Sequence, residues 1–132
     1  MSYLLDTHTL IWAITAPEKL SEQVRQLIEK PENHLVVSAV TFWEISLKYA
    51  LGKLMLEQIS PEDFPKLCRQ MDIEILPLSP EICATYHQLG VFHHKDPFDR
   101  MLVWLAKCGN FTILSKDESM MLYQSEGVSV IW

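Results

Sequence analysis

Short apolar runs alternate along the chain with segments whose apolar residues recur at helical spacing. Tyr3-Leu4-Leu5 predicts a first strand, and His8 to Ile14 a short apolar helix after it. Ser21 to Lys30 is amphipathic, with Val24, Leu27 and Ile28 on one face, and Leu35-Val36-Val37 is a second strand. Val40 to Leu51 is helical and stops at Gly52; Ser60 and Pro61 open a helix to about Met71. Ile73 to Leu76 follows as a strand, then a helix opened by Ser79 and Pro80, running to about Leu89. Asp96 and Pro97 start another helix, which Gly109 should end. Phe111 to Leu114, a short helix from Glu118 to Gln124, and Val128 to Ile131 complete the series. Such alternation predicts one α/β domain over residues 1–132, a three-layer α/β/α arrangement around a parallel sheet of about five strands. Ligands of such sheets bind beyond the carboxyl ends of the strands.

Composition changes this picture little. At 132 residues, 48% hydrophobic and 21% charged, the chain has ordinary globular usage. No apolar run approaches a membrane span, and the start lacks the basic region of a signal peptide. The three cysteines, Cys68, Cys83 and Cys108, each lie in a helical segment and are expected to be buried free thiols, which fits a reducing cytoplasm. The net charge of −6 counts against a broad basic surface for nucleic acid, but a site built for cations concentrates acid, so the placement of the acids decides.

Asp6 directly follows the first strand, where it could cap the next helix or face the crevice. Val40, Glu44, Leu47 and Leu51 share one helical stripe. A carboxylate within an apolar stripe must find a partner or give up its charge. Lys48, one turn on, is the salt-bridge candidate, while the rarity of buried unpaired acids favours a site role for Glu44. Asp99 falls in the first turn of its helix, on the face of Leu102, Val103 and Ala106, and so points inward, whereas Asp96 is a good N-cap. Asp117 follows the fourth strand, where a cap is the plainer alternative. Asp6, Asp117 and the head of the Asp96 helix thus fall at one edge of the sheet, and Glu44 lies on a helix able to face it. Hard oxygen donors without a suitable His or Cys set point to Mg²⁺ or Mn²⁺. His93 and His94 are adjacent in a loop and poorly placed to share one ion. His8 faces the same edge, as a substrate contact or a plain polar residue.

The segments LLDTHTLIW, VSAVTFWEISLKYALGKL, HHKDPFDRML and ILSKD, in this order and spacing, make the chain resemble PIN-domain proteins, specifically the VapC-type toxin ribonucleases of type II toxin–antitoxin pairs. The likeness runs from about Tyr3 to Ile131. By motif, it implies that Asp6, Glu44, Asp99 and Asp117 form an acidic Mg²⁺ or Mn²⁺ site. Asp96 matches a further frequent acid, and Thr7 and Ser115 match hydroxyl positions that support the carboxylates. The resemblance also implies a homodimer and a VapB-like antitoxin that blocks the site. Trp104 departs from the small or polar residues expected after DRML, and should affect helix packing or an interface.

The resemblance further implies hydrolysis of an RNA phosphodiester, in transfer RNA or another structured RNA, leaving a 5′-phosphate and a 3′-hydroxyl. Lys48, Lys95, Arg100 and Lys116 neighbour the acids in sequence and are expected to meet RNA phosphates, against the alternative of solvated charges. Phe42, Ile45 and Tyr49 form a second apolar stripe on the Glu44 helix, covered either by the domain itself or by a partner. A receiver-type phosphoacceptor fails on Thr7 and on the Ile75-Leu76-Pro77 strand end, and a DxD phosphatase fails on His8. The four glycines stand singly, so no phosphate-cradling loop exists. The remaining rival is a non-catalytic module of the same fold that binds RNA or protein.

Overall fold

Side chains along the strands alternate between two hydrophobic cores, one on each face of a single sheet. In the computed structural model, which describes residues 1–132, Leu4, Val36, Ile113 and Val130 point to one core, and Tyr3, Leu5, Leu35, Val37 and Leu114 to the other. Burial on both faces explains why these strands read as continuous apolar runs. The strands are β1 (Ser2–Leu5), β2 (His34–Ser38), β3 (Glu74–Leu76), β4 (Thr112–Leu114) and β5 (Val130–Ile131). All pair in parallel in the order β3-β2-β1-β4-β5, so β1 is central. The predicted three-layer α/β/α class is the one observed.

Helices α1 (Thr7–Thr15), α2 (Glu22–Glu29), α3 (Ala39–Ala50), α4 (Phe64–Gln70), α5 (Pro80–Thr85), α6 (Pro97–Gly109) and α7 (Glu118–Met121) fill the connections. Leu10, Val24, Phe64 and Cys68, from α1, α2 and α4, pack on one face, and Leu102 to Ala106 of α6 and Met120 of α7 on the other. Helix α3 serves both cores, with Val40 in one and Ile45 in the other. Three predicted helices are shorter than the apolar pattern indicated. Pro61–Asp63, Tyr86–Leu89 and Leu122–Glu126 are 3₁₀ turns attached to α4, α5 and α7. Such turns satisfy terminal backbone groups that an α-helix leaves open.

Helix α6 stops at Gly109 as expected. Gly109 is its last residue, and Asn110 takes the left-handed conformation with φ 56°. The glycine serves a different purpose, since a Cβ there would lie 2.3 Å from the Phe111 ring. Cys68 is buried, but Cys83 and Cys108 are exposed, which corrects the expectation of three buried thiols. No helix is long and apolar enough to cross a membrane.

Candidate active site

Parallel pairing of β1 with β4 sets Leu5 beside Leu114, so the residues after both strands meet at one end of the sheet. Asp6 continues β1 by one backbone hydrogen bond, its N–H donating to the Leu114 carbonyl at 3.2 Å. Its side chain caps α1, accepting from the Thr9 N–H at 2.8 Å. Capping and facing the crevice therefore coexist at this residue. Burial raises the Asp6 carboxyl above its ordinary value, against hydrogen bonds from Ser115 and Thr9. Ser115 is fully buried, and its hydroxyl also accepts from the Asp117 N–H at 3.0 Å. Asp117 itself caps α7 through the Ser119 N–H and is exposed.

Glu44 enters from α3 and is only 3% exposed. The Thr7 hydroxyl donates to its Oε1 at 2.5 Å, and the Lys48 ammonium pairs with its Oε2. Burial works against the Lys48 charge, but the Glu44 hydrogen bond and the charges of Glu44, Asp96 and Asp99 outweigh it and raise its pKa. Asp96 caps α6 through the Phe98 and Asp99 N–H groups. One turn of sequence later, Asp99 is partly buried, and its carboxyl is pushed up to about 7. Burial is the largest cause, followed by repulsion from Asp96, Glu44, Asp117 and Asp6. Five acids therefore share one field, although no three His, Cys, Asp or Glu side chains stand close enough together to hold an ion as they are placed.

A cleft of about 380 Å³ is lined by two of these acids, Asp6 and Asp117, together with His8, Trp12 and Lys116. Trp12 escaped the sequence analysis. It lies one helical turn after His8, with ring centroids 5.8 Å apart, and that i, i+4 spacing on α1 was the available signal. The Lys116 ammonium stands 5.9 Å from the Trp12 ring centre.

A family model described as the PIN domain matches residues 3–123. The chain belongs to the PIN domain family. No curated protein matches it significantly. Among solved structures, this PIN domain is similar to VapBC2 from Rickettsia felis bound to a DNA fragment from their promoter (TM-score 0.64, 18% identity, 99% of this chain and 98% of that one covered). It is likewise similar to VapBC-1 from nontypeable Haemophilus influenzae (0.65, 19%, 99% and 97%) and to FitAcB from Neisseria gonorrhoeae (0.64, 22%, 98% and 96%). At these identities the likeness is one of fold.

Several expectations about this PIN domain need correction. Arg100 is 1% exposed and cannot meet an RNA phosphate. Its guanidinium donates to the Tyr86 hydroxyl at 2.7 Å, the Val91 carbonyl at 2.6 Å and the Tyr123 hydroxyl at 2.8 Å, and lies 3.6 Å from the Phe92 ring centre. Lys48 is spoken for by Glu44, whereas Lys95 and Lys116 are exposed. The Phe42, Ile45 and Tyr49 stripe is mostly covered by the domain itself. Ile45 is fully buried and Phe42 packs on the same core, leaving only Tyr49 exposed. The apolar face that α3 leaves open is instead Trp43, Leu47 and Leu51. Trp104 is buried, and its indole N–H donates to the Ile82 carbonyl at 3.2 Å, so it joins α6 to α5 within the domain.

Proposed function

We propose that this PIN domain is the toxin of a VapC-type toxin–antitoxin pair and acts as a divalent-metal-dependent endoribonuclease. One observation carries the proposal: burial, and then the charges of four other acids, raise the Asp99 carboxyl at the head of α6, a charge arrangement that a cation relieves. All the donors are carboxylate oxygens, which fits Mg²⁺ or Mn²⁺. Asp6, Asp99 and Asp117 would hold the ion, with Glu44 as a further ligand or as base. Once bound, the ion supplies acidity to a water and charge to a phosphodiester oxygen.

The chain's own residues do the rest. Thr7 and Lys48 fix both oxygens of Glu44, so this carboxylate keeps one orientation. Ser115 braces Asp6 and the turn carrying Asp117. Lys95 and Lys116 would bind RNA phosphates flanking the cleft, and His8 and Trp12 would line the path of the strand. A VapB-like antitoxin would cover this face. The exposed Trp43, Leu47 and Leu51 face supports a homodimer, in place of the stripe read from the sequence.

The deciding experiment is cleavage of total and transfer RNA by the purified protein with Mg²⁺, Mn²⁺ or chelator, beside Asp6→Asn and Asp99→Asn. Discrete, metal-dependent cuts ending in a 5′-phosphate, lost in both variants, are expected. RNA bound but never cut by the folded, metal-supplied protein would replace the nuclease with a binding module.

A further inference from the structure

Asp99 is the one of the five acids whose carboxylate accepts no hydrogen bond. Asp6 has the Thr9 N–H, Glu44 has Thr7 and Lys48, Asp96 has two backbone N–H groups, and Asp117 has the Ser119 N–H. A partly buried carboxylate without a donor has no fixed orientation, which is a poor property in a ligand. The side chain nearest to mending this is His94, whose Nε2 lies 3.5 Å from Asp99 Oδ2. That separation is too long for a hydrogen bond, and Nε2 is buried without any partner. A buried, unpaired ring nitrogen aimed at an unpaired carboxylate calls for an explanation.

The donors behind His94 supply one. Arg100 has only donors to offer, so the Tyr123 oxygen must accept from its Nη1 at 2.8 Å. The phenol then has one proton to give, and His94 Nδ1 stands 3.1 Å away to take it. A neutral imidazole accepting at Nδ1 carries its own proton on Nε2. The buried guanidinium thus sets the polarity of a chain that runs from Arg100 through Tyr123 and His94 to Asp99. His93 packs edge-on against the same phenol, with centroids 4.8 Å apart, and helps to hold it in place.

Resting on the nuclease proposal, we infer that His94 is a positioning residue: its Nε2–H closes onto Asp99 Oδ2 and turns that carboxylate's free oxygen toward the ion-binding side of the cleft. Apo catalytic hydrogen bonds are commonly long and tighten when the site fills. The same logic makes Tyr123 a remote determinant of ion affinity, although it touches no acid of the cleft.

The test measures Mn²⁺ affinity by calorimetry at pH 8, RNA kcat and KM, and the imidazole ¹⁵N spectrum. His94→Leu should weaken Mn²⁺ binding by roughly 10–100-fold and lower kcat with KM little changed. His94→Gln, whose amide N–H reaches where Nε2–H stood, should recover most of both losses, and the shorter His94→Asn should not. The wild-type spectrum should show His94 protonated at Nε2, and Tyr123→Phe should mix the tautomers. Equal Mn²⁺ affinity in wild type and His94→Leu, or a wild-type ring protonated at Nδ1, overturns the positioning role alone. If His94→Leu does not fold, equal affinities of His94→Gln and His94→Asn overturn it too. Wild-type protein that binds no Mn²⁺ overturns the nuclease proposal and this role with it.

Discussion

Asp99 is where the proposed function and stability oppose each other. Its carboxyl is raised from 3.8 to about 7, so over that interval the folded chain keeps a proton that the unfolded chain has lost. The stability this group contributes is complete below about pH 4 and is lost as pH rises through 7. Asp99→Asn removes that loss. The variant should match the wild type in thermal midpoint near pH 4 and exceed it at pH 8, while RNA cleavage falls by ~100-fold or more. Thermal unfolding across pH, run beside the cleavage assay, checks both halves. The capping grammar around this residue was legible, because Asp96, Pro97 and Asp99 follow local rules of helix starts. Arg100 was not. Next to two acids it read as a phosphate contact, but its burial depends on Tyr86, Val91 and Tyr123, and no periodicity announces such a meeting.

Among the elements, α6 shows how much a segment's neighbours decide. Its pattern named Leu102, Val103 and Ala106 as an inward face and Gly109 as its end, and both hold, although a glycine closing a helix is ordinarily the left-handed residue. Here Asn110 takes that conformation, and Gly109 is kept small by the Phe111 ring. Gly109→Ala should therefore destabilise the protein by roughly 1–3 kcal/mol, by overpacking, although alanine is the better helix former. A urea midpoint higher than wild type would contradict this. Helix α3 makes the complementary point. Its two apolar stripes were visible, but which one the domain covers depends on a helix that serves both cores, a property of the assembled layers. Hence the burial of Glu44 was legible in the sequence, while the open face of Trp43, Leu47 and Leu51 was not.

For the whole molecule, the alternation of elements sufficed for class and parallel sheet, whereas the strand order came only with the structure. The net charge of −6 and the crowding of acids at one end make cations the natural counterpart. Mg²⁺ or Mn²⁺ should raise the thermal midpoint, and by more at pH 8 than at pH 5, because protons and the ion compete for the same carboxylates. Equal shifts at both values would place the ion elsewhere. Lys95 and Lys116, the exposed pair, should carry the salt dependence of RNA binding. Reversing both is expected to cut the slope of log K against log salt by about 1.4 for a single strand. Affinity measured across a salt series tests this, and an unchanged slope would mean that neither lysine meets a phosphate.

Within the domain, β1 is made before the other four strands, and β4, which completes its far side, comes more than a hundred residues later. Asp6 emerges with β1, but the Leu114 carbonyl that anchors it, the Ser115 that braces it and the Asp117 that faces the same cleft belong to the later segment. During synthesis the growing chain therefore holds only half of the cleft. A product cut short anywhere before β4 would lack the Asp117 side of the proposed site however well its first helices fold. For a protein proposed to attack RNA, the order of translation is a built-in delay. The interval before the last strands emerge is when a partner already in the cell can be waiting.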